Sequence, residues 1–509
     1  MAAAARVVET HVSYVFFVGE QVYKLKKPVA TDVLDFSTPD ARRRACEAEV
    51  ALNRRLAPDV YEGLLTVTGP DTAVCDYLVA MRRMPENRQL ATLVVNNDPT
   101  LASALAEIAL VLAKFHESAD RSDDIDTAAT APHVAANWKA NSDQLRAFGP
   151  GLIDQALVER VDELAQRYVE TNAPRFDERV RQGRVVDGHG DLLADDIFCL
   201  DDGPRILDCL EFDPQLRYGD ALADVAFLAM DLERLGRPDL AEYFLGAYRR
   251  ASGDQWPDSL RHHWVAYRAQ VRAKIACLRA MQGDSSSREN AKALLQLADR
   301  HLEETIPRVI LVGGLPGTGK STLAQGIGGA RQWPVLRSDV IRKELAGLAP
   351  LARAAAEYGT GLYRAELTAE TYVEMLRQVR LFLRHGESVV LDASWTSAHW
   401  RKAATELARE AGALLIELRC VAPALLATDR IRDRAREATD PSDANEEVAA
   451  GMALQADPWP AASVVDTSGP PEDGLDAALL AIYRYPALST PGLEQAARTD
   501  ADTHGCGRR

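Results

Sequence analysis

Apolar and polar positions divide the chain into two regimes. In the first, short apolar runs at 12–18 and 21–26 flank Gly19-Glu20, which predicts a hairpin with a short turn. Val22, Lys24 and Lys26 then share one face of the second strand, because strand side chains alternate. A helix is predicted over 40–56 and a strand pair over 64–67 and 74–81. From about residue 99 apolar residues recur at three and four, a helical pattern that closes with a helix over 288–304. Beyond Pro307 the second regime begins. Apolar runs at 309–312, 335–336, 388–391, 414–421 and 463–465 alternate with helical segments, which predicts an α/β unit with a mainly parallel, doubly wound sheet. The expected organisation is a unit over 1–304, a second over 305–487, and a disordered, polar and glycine-containing tail over 488–509.

Composition narrows the class. At 509 residues the chain is too long for one core, and 47% apolar with 26% charged residues is a globular balance. A net charge of −16 argues against broad nucleic-acid binding, although it leaves room for a local basic cleft. The seven cysteines are scattered without CxxC spacing, as in a cytoplasmic protein with reduced thiols. No apolar run nears the roughly 18 residues of a membrane span, and residues 1–5 lack a signal-peptide core. Nothing in the sequence specifies an oligomeric state.

The strand at 309–312 runs through Gly313-Gly314-Leu315-Pro316-Gly317-Thr318-Gly319 into Lys320-Ser321-Thr322 and a helical segment. This is GxxxxGK[ST] in its required strand-to-helix setting. Phosphate oxygens need several donors at short range, and glycines let the backbone approach without a Cβ in the way. On this reading residues 314–322 cradle the phosphates of ATP, Lys320 reaches the β- and γ-phosphates, and the Ser321 hydroxyl holds Mg²⁺.

Three further segments lie at predicted strand ends, where ligands of such sheets gather. In Arg337-Ser338-Asp339-x-x-Arg342, Asp339 is a candidate base for a substrate hydroxyl and also suits a helix N-cap, while Arg342 is a candidate anion binder. Asp392 ends a buried apolar run as a Walker-B carboxylate would, near Mg²⁺. Arg430 and Arg434 share a helix face from which they can close over a triphosphate; interleaved Asp429, Asp433 and Glu437 favour an alternative, a solvated ion-pair helix.

These residues resemble the P-loop kinase family that includes polynucleotide 5′-kinases, zeta-type toxins and small-molecule kinases. Arg337-Ser338-Asp339-x-x-Arg342, the segment 389–394 and the lid pattern at 430–444 carry the likeness. It implies a phosphotransferase and leaves the acceptor open.

The first unit has its own chemical centre in His189-Gly190-Asp191-Leu192, followed by Asp208 and by Gly219-Asp220 with Asp224. These residues resemble the aminoglycoside phosphotransferase family, which has the bilobal protein-kinase-like α+β fold. Val22-Tyr23-Lys24 is similar to its lysine strand, residues 49–56 to the helix whose glutamate pairs with that lysine, and residues 112–116 to its Leu-His helix. The resemblance implies Lys24 at the α/β-phosphates of ATP with Glu49 aligning it, Asp191 as base, Asp208 on Mg²⁺, and Asp220 and Asp224 as structural residues. Asp196 stands where the family has asparagine as second metal ligand, and residues 9–17 contain no glycine to cover the phosphates.

Simpler readings stand beside these. Lys24 and Lys26 also read as solvated charges on an edge strand, and Arg268, Arg272 and Lys274 as a solvated helix face in preference to an acidic-substrate pocket. The order of the two units is similar to a group of bacterial two-domain proteins. The leading expectation is a cytoplasmic bifunctional kinase of small hydroxyl-bearing molecules. Its rivals are a first unit acting as a pseudokinase sensor and a second unit acting on nucleic-acid 5′-ends, which the acidic charge disfavours.

Overall fold

In a computed structural model the described residues are 6–10, 12–30, 35–70, 72–352, 359–437 and 440–484; the expected disordered tail lies outside them. The chain forms two compact units that divide between Leu302 and Glu303. Among the described residues no helix is long and apolar enough to cross a membrane.

The first unit opens with strands β1 (Arg6–Glu9), β2 (Ser13–Val18) and β3 (Gln21–Lys26), helix α1 (Pro39–Asn53), and strands β4 (Tyr61–Thr68) and β5 (Val74–Arg82). The antiparallel sheet has the order β1-β2-β3-β5-β4, so β3 is its central strand. The edge-strand reading of Lys24 and Lys26 is therefore wrong. Thr38 starts α1, its side chain accepting from the Ala41 amide, as threonine does at a helix N-terminus. Cys46 and Val50 of α1 pack with Val60, Tyr61 and Val79 of the sheet in a small core.

A larger helical lobe follows, with its own core built on Leu105, Leu112, Trp138, Phe227 and Val265 among others. It carries helix α2 (Leu101–Ser118), the short strands β6 (Val185–Asp187), β7 (Ile197–Leu200), β8 (Gly203–Ile206) and β9 (Tyr218–Asp220), and helices α3 (Ala221–Arg234), α4 (Asp258–Met281) and α5 (Ser286–Glu304). The strands pair antiparallel as β6-β9 and β7-β8. The two connections between these pairs, 188–196 from β6 to β7 and 207–217 from β8 to β9, carry acidic residues. The architecture is thus α+β and bilobal.

The second unit contains β10 (Arg308–Gly313), α6 (Lys320–Arg331), β11 (Val335–Arg337), α7 (Ser338–Leu345), α8 (Ala365–Arg384), β12 (Val389–Asp392), α9 (Ala398–Glu410), β13 (Leu414–Val421), α10 (Ala424–Glu437), β14 (Ser463–Asp466) and α11 (Pro471–Arg484). Its strands run in the order β11-β12-β10-β13-β14, all neighbours parallel. Val309 and Leu311 face one core cluster, and Ile310 and Val312 the other. Both faces of the sheet are covered, which is why the central strand is an unbroken apolar run. All the strands end on one side, toward the loops after Gly313, Arg337, Asp392 and Val421.

Candidate active sites

In the second unit the glycines of the predicted phosphate loop do what the spacing demands. Gly314, Gly317 and Gly319 have φ of +142°, +80° and +84°, values that an L side chain resists. Space is as decisive as angle at Gly317: a Cβ there would lie 2.2 Å from the Ala427 carbonyl oxygen, at the start of α10. Inside the loop the Thr318 hydroxyl donates to the Leu315 carbonyl at 2.7 Å, and the Gly314 amide donates to Ser394 O at 3.1 Å. Leu315 and Pro316 complete the turn, Lys320 is buried at the start of α6, and Thr322 is exposed.

Carboxylates gather around that turn. Asp392 is buried at the end of β12; burial raises its pKa, against the pull of Lys320 and of a hydrogen bond with Ser321. One of its oxygens accepts from Arg337 at 3.1 Å, while Oδ1 is buried with no partner among the described residues. A buried orphan carboxylate oxygen beside a serine hydroxyl suits a divalent cation such as Mg²⁺, so the donor set fits.

Asp339 sits in the first turn of α7, not at its N-cap, a position that Arg337 occupies. Burial alone would raise its pKa, but Arg342 and Lys320 outweigh it and hold the carboxyl below the usual range. Arg342 donates to Asp339 at 2.6 Å and lies 5.2 Å over the Tyr363 ring.

The arginine helix sorts by face. Arg430 donates to Thr467 O at 2.8 Å and its Nη1 is buried without a partner, 3.4 Å from where a Gly319 Cβ would sit. Arg434 donates to Ala444 O at 2.7 Å, whereas Asp429 and Asp433 pair with the exposed Arg432 and Arg436. The interleaved acids thus form the expected solvated ion pairs, while Arg430 and Arg434 are tied to backbone carbonyls. Arg337, quoted above only as part of a motif, and Lys343, which sequence reasoning passed over, tie the next loop down: Arg337 reaches Asp440 at 3.0 Å, and Lys343 reaches Asp443 at 2.9 Å.

In the first unit the residues come from far apart. Lys24 Nζ lies 2.9 Å from Glu49 Oε1 and 2.8 Å from Asp208 Oδ1. Burial works against its charge, yet Asp208 and Glu49 keep the Lys24 pKa well above its ordinary value. The other oxygen of Glu49 takes Lys26 at 2.7 Å, and Lys26 also bonds Glu211. Lys26 and Glu211 were not foreseen. Their signal was present in the alternation that puts Lys24 and Lys26 on one face, but Glu211 has no local cue.

Asp208 has φ +63°, strained for a residue with a side chain, and is held there by its neighbours. The Tyr61 hydroxyl accepts its amide at 3.3 Å and the Asn53 side chain accepts the next one at 2.9 Å. Its carboxylate is half-exposed, with a pKa held down by Lys24.

His189 and Asp224 fix the loop that carries Asp191. Asp224 accepts the amides of His189 and Gly190, each at 2.8 Å, and takes His116 Nε2 at 3.0 Å. Burial drives the His189 pKa down to about 4; the neutral ring donates from Nε2 to Leu207 O and accepts the Asp191 amide at Nδ1. Asp220 caps α3 and is gripped by Arg179. Both aspartates serve the structural part expected of them.

Asp191 itself is partly buried, with a pKa pushed up to about 6, by burial first and against the influence of Arg272. Asp196 is raised by burial and by the charges of Asp208 and Asp191. Among the described residues no group of three or more His, Cys, Asp or Glu side chains could hold a metal ion unaided. Asp208 and Asp196 would need a ligand's own oxygens to complete such a shell.

The helix face at Arg268, Arg272 and Lys274 is not the solvated one expected. Arg268 donates to Ala223 O at 2.9 Å, Lys274 to Asn141 at 2.7 Å, and Arg272 lies 3.7 Å from Asp191.

Residues 309–458 match the AAA_33 family model, described as an AAA domain. The chain is 40% identical over 464 residues to the uncharacterized proteins Rv2004c of Mycobacterium tuberculosis H37Rv and Mb2027c of Mycobacterium bovis. That alignment covers 91% of this chain and 92% of each relative. Among solved structures, a choline kinase from Cryptosporidium parvum aligns at 11% identity over 59% of this chain and 89% of its own, with a TM-score of 0.37.

Proposed function

The chain belongs to the family of Rv2004c and Mb2027c, and from that premise we propose that it is a bifunctional ATP-dependent phosphotransferase acting on small hydroxyl-bearing molecules. The observation that carries the proposal is a recurrence. Both units set a largely sheltered lysine against a carboxylate suited to a metal and put a further carboxylate at the same site: Lys320, Asp392 and Asp339 in one, Lys24, Asp208 and Asp191 in the other.

Phosphoryl transfer is mostly positioning and charge stabilisation. In the second unit residues 314–322 would bind the triphosphate and Arg430 and Arg434 would neutralise charge growing on the transferred group, with Arg342 holding Asp339 in place. Mg²⁺, held by Ser321 and Asp392 and in the first unit by Asp208 and Asp196, would supply charge neutralisation at the phosphates. In each unit the acceptor oxygen forms a bond to the γ-phosphorus as the bond from that phosphorus to the β–γ bridging oxygen breaks, its electron pair leaving with ADP. The acceptor's proton passes to Asp339 or Asp191. A pKa pushed up to about 6 suits Asp191 for that step near neutral pH.

A second reading, in which the first unit only binds a nucleotide and regulates the other, draws support from Lys24 closing on Asp208 and from the aspartate at 196 whose ionised form burial disfavours. ATP turnover and Mg·ATP binding for wild type, Lys320→Ala and Asp208→Ala, across sugars, aminoglycosides and nucleosides, separate the two. Two separable, acceptor-stimulated activities support the bifunctional enzyme. Loss of all turnover in Lys320→Ala, with Asp208→Ala indistinguishable from wild type, supports the regulatory unit.

A further inference from the structure

We propose that the first unit's acceptor is an anion, a hydroxy acid or a sugar phosphate, whose negative group is received by Arg272 beside Asp191. The proposal rests on the transfer reading above and adds the acceptor's chemical class.

Three cations lie along one stretch of α4, and they differ in what they hold. Arg268 donates to the Ala223 carbonyl at 2.9 Å and stacks 4.9 Å over the Phe227 ring. Lys274 is bonded to Asn141 at 2.7 Å. Both are consumed by the fold. Arg272 donates no hydrogen bond to any described residue; its nearest charged partner is Asp191 Oδ1, at 3.7 Å, too far for a hydrogen bond. Its side chain is 20% exposed and that of Asp191 23%, so the two are partly sheltered neighbours that both remain open to solvent.

A guanidinium presents a planar fork of donors that matches a carboxylate or phosphate at two points. With those donors unengaged and the candidate base alongside, an acceptor held by its acidic group at Arg272 brings a neighbouring hydroxyl to Asp191. An acceptor with an ammonium group in that position would instead meet a like charge. The acids that act on Asp191, namely Asp208 and Asp231, do not supply an alternative seat: Asp208 is paired with Lys24, and Asp231 with the Ala194 amide and Arg234.

The anion at Arg272 has a second possible source, the γ-phosphate of the nucleotide, and the test separates the two. The full chain carrying Lys320→Ala is titrated calorimetrically with glucose, glucuronate, glucose 6-phosphate and glucosamine, and separately with Mg²⁺ and a non-hydrolysable ATP analogue; turnover is read with the same sugars. At least one anionic sugar is expected to bind tenfold or more tightly than glucose, with glucosamine weakest. Arg272→Gln erases that order and leaves analogue binding unchanged, and Arg272→Lys keeps part of it. The proposal is overturned if no anionic sugar is preferred, if glucosamine leads, or if Arg272→Gln weakens the analogue while the sugar order survives. Arg272-dependent sugar binding without turnover keeps the anion site and sinks the transfer reading. Turnover with glucose that ignores Arg272 does the reverse.

Discussion

The two candidate sites hold charge by opposite means. Around Lys320 the work falls to backbone geometry: three glycines at positive φ, of which Gly314 packs against Thr318 and Cys420 and Gly317 against Ala427 too closely for a side chain. Around Lys24 it falls to side chains, a run of lysines and acids in which Glu49 gives one oxygen to each of Lys24 and Lys26. A backbone cradle is contiguous in sequence and tolerates changes in net charge. A buried network of charges is scattered in sequence, and losing one member leaves another unpaired in a low dielectric.

That contrast can be broken in four ways. The largest expected effect is on stability: Lys26→Met leaves Glu211 without its buried cation and should destabilise the first unit by about 3–5 kcal/mol, most of it restored in Lys26→Met/Glu211→Leu. Calorimetric unfolding reads both, and an unaltered transition for the single variant would show that the network is not under strain. Next, Lys320→Ala should lower turnover at the P-loop by about 10²–10³-fold, as loss of one donor to a developing charge does, without moving ATP binding at Lys24. Asp208→Ala should do the converse in an Lys320→Ala background.

Gly317→Ala comes third. With φ +80° and a carbonyl oxygen 2.2 Å from the new carbon, α10 must shift, at about 1–3 kcal/mol, whereas Gly19→Ala, with φ +60° but open space around it, meets only the strain of its backbone. Equal melting temperatures for the two would contradict the packing argument. The smallest effect is in pH. A base works when ionised, and Asp191 has a pKa pushed up to about 6 by burial, so acceptor-stimulated turnover at the first site should fall roughly tenfold between neutrality and pH 5. Asp339 is held below the usual carboxylate range, so the second site should keep its rate through that window. Coincident pH profiles would erase the distinction.

The same contrast governs what could be read from the chain. The loop at 314–322 and the strands around it were legible because strand, glycines, lysine and hydroxyl follow one another. The hairpin was legible from alternation, α1 from its helical pattern, and the His189–Asp191 loop from its motif, whereas the Thr38 cap came only with the structure. Lys26 was misjudged because alternation does not say which strand lies in the middle of a sheet; only the pairing of β3 with β5 does. Glu211 lies 185 residues beyond Lys26 and its bond had no local trace. Asp339 looked like a cap from its residue type, but the helix begins one residue earlier, at Ser338.

The shared carboxylate of Glu49 bears on how easily the first site reorganises. For Lys24 to turn toward a phosphate it must let go of Asp208 and loosen its hold on Glu49. In a site with one lysine that motion would strand a buried anion and meet a steep barrier. Here Lys26 remains on the second oxygen, so the acid keeps a counter-ion throughout. If the first site takes a nucleotide as proposed, the resting ion pair would act as a low-friction latch, letting the site load without passing through an uncompensated charge.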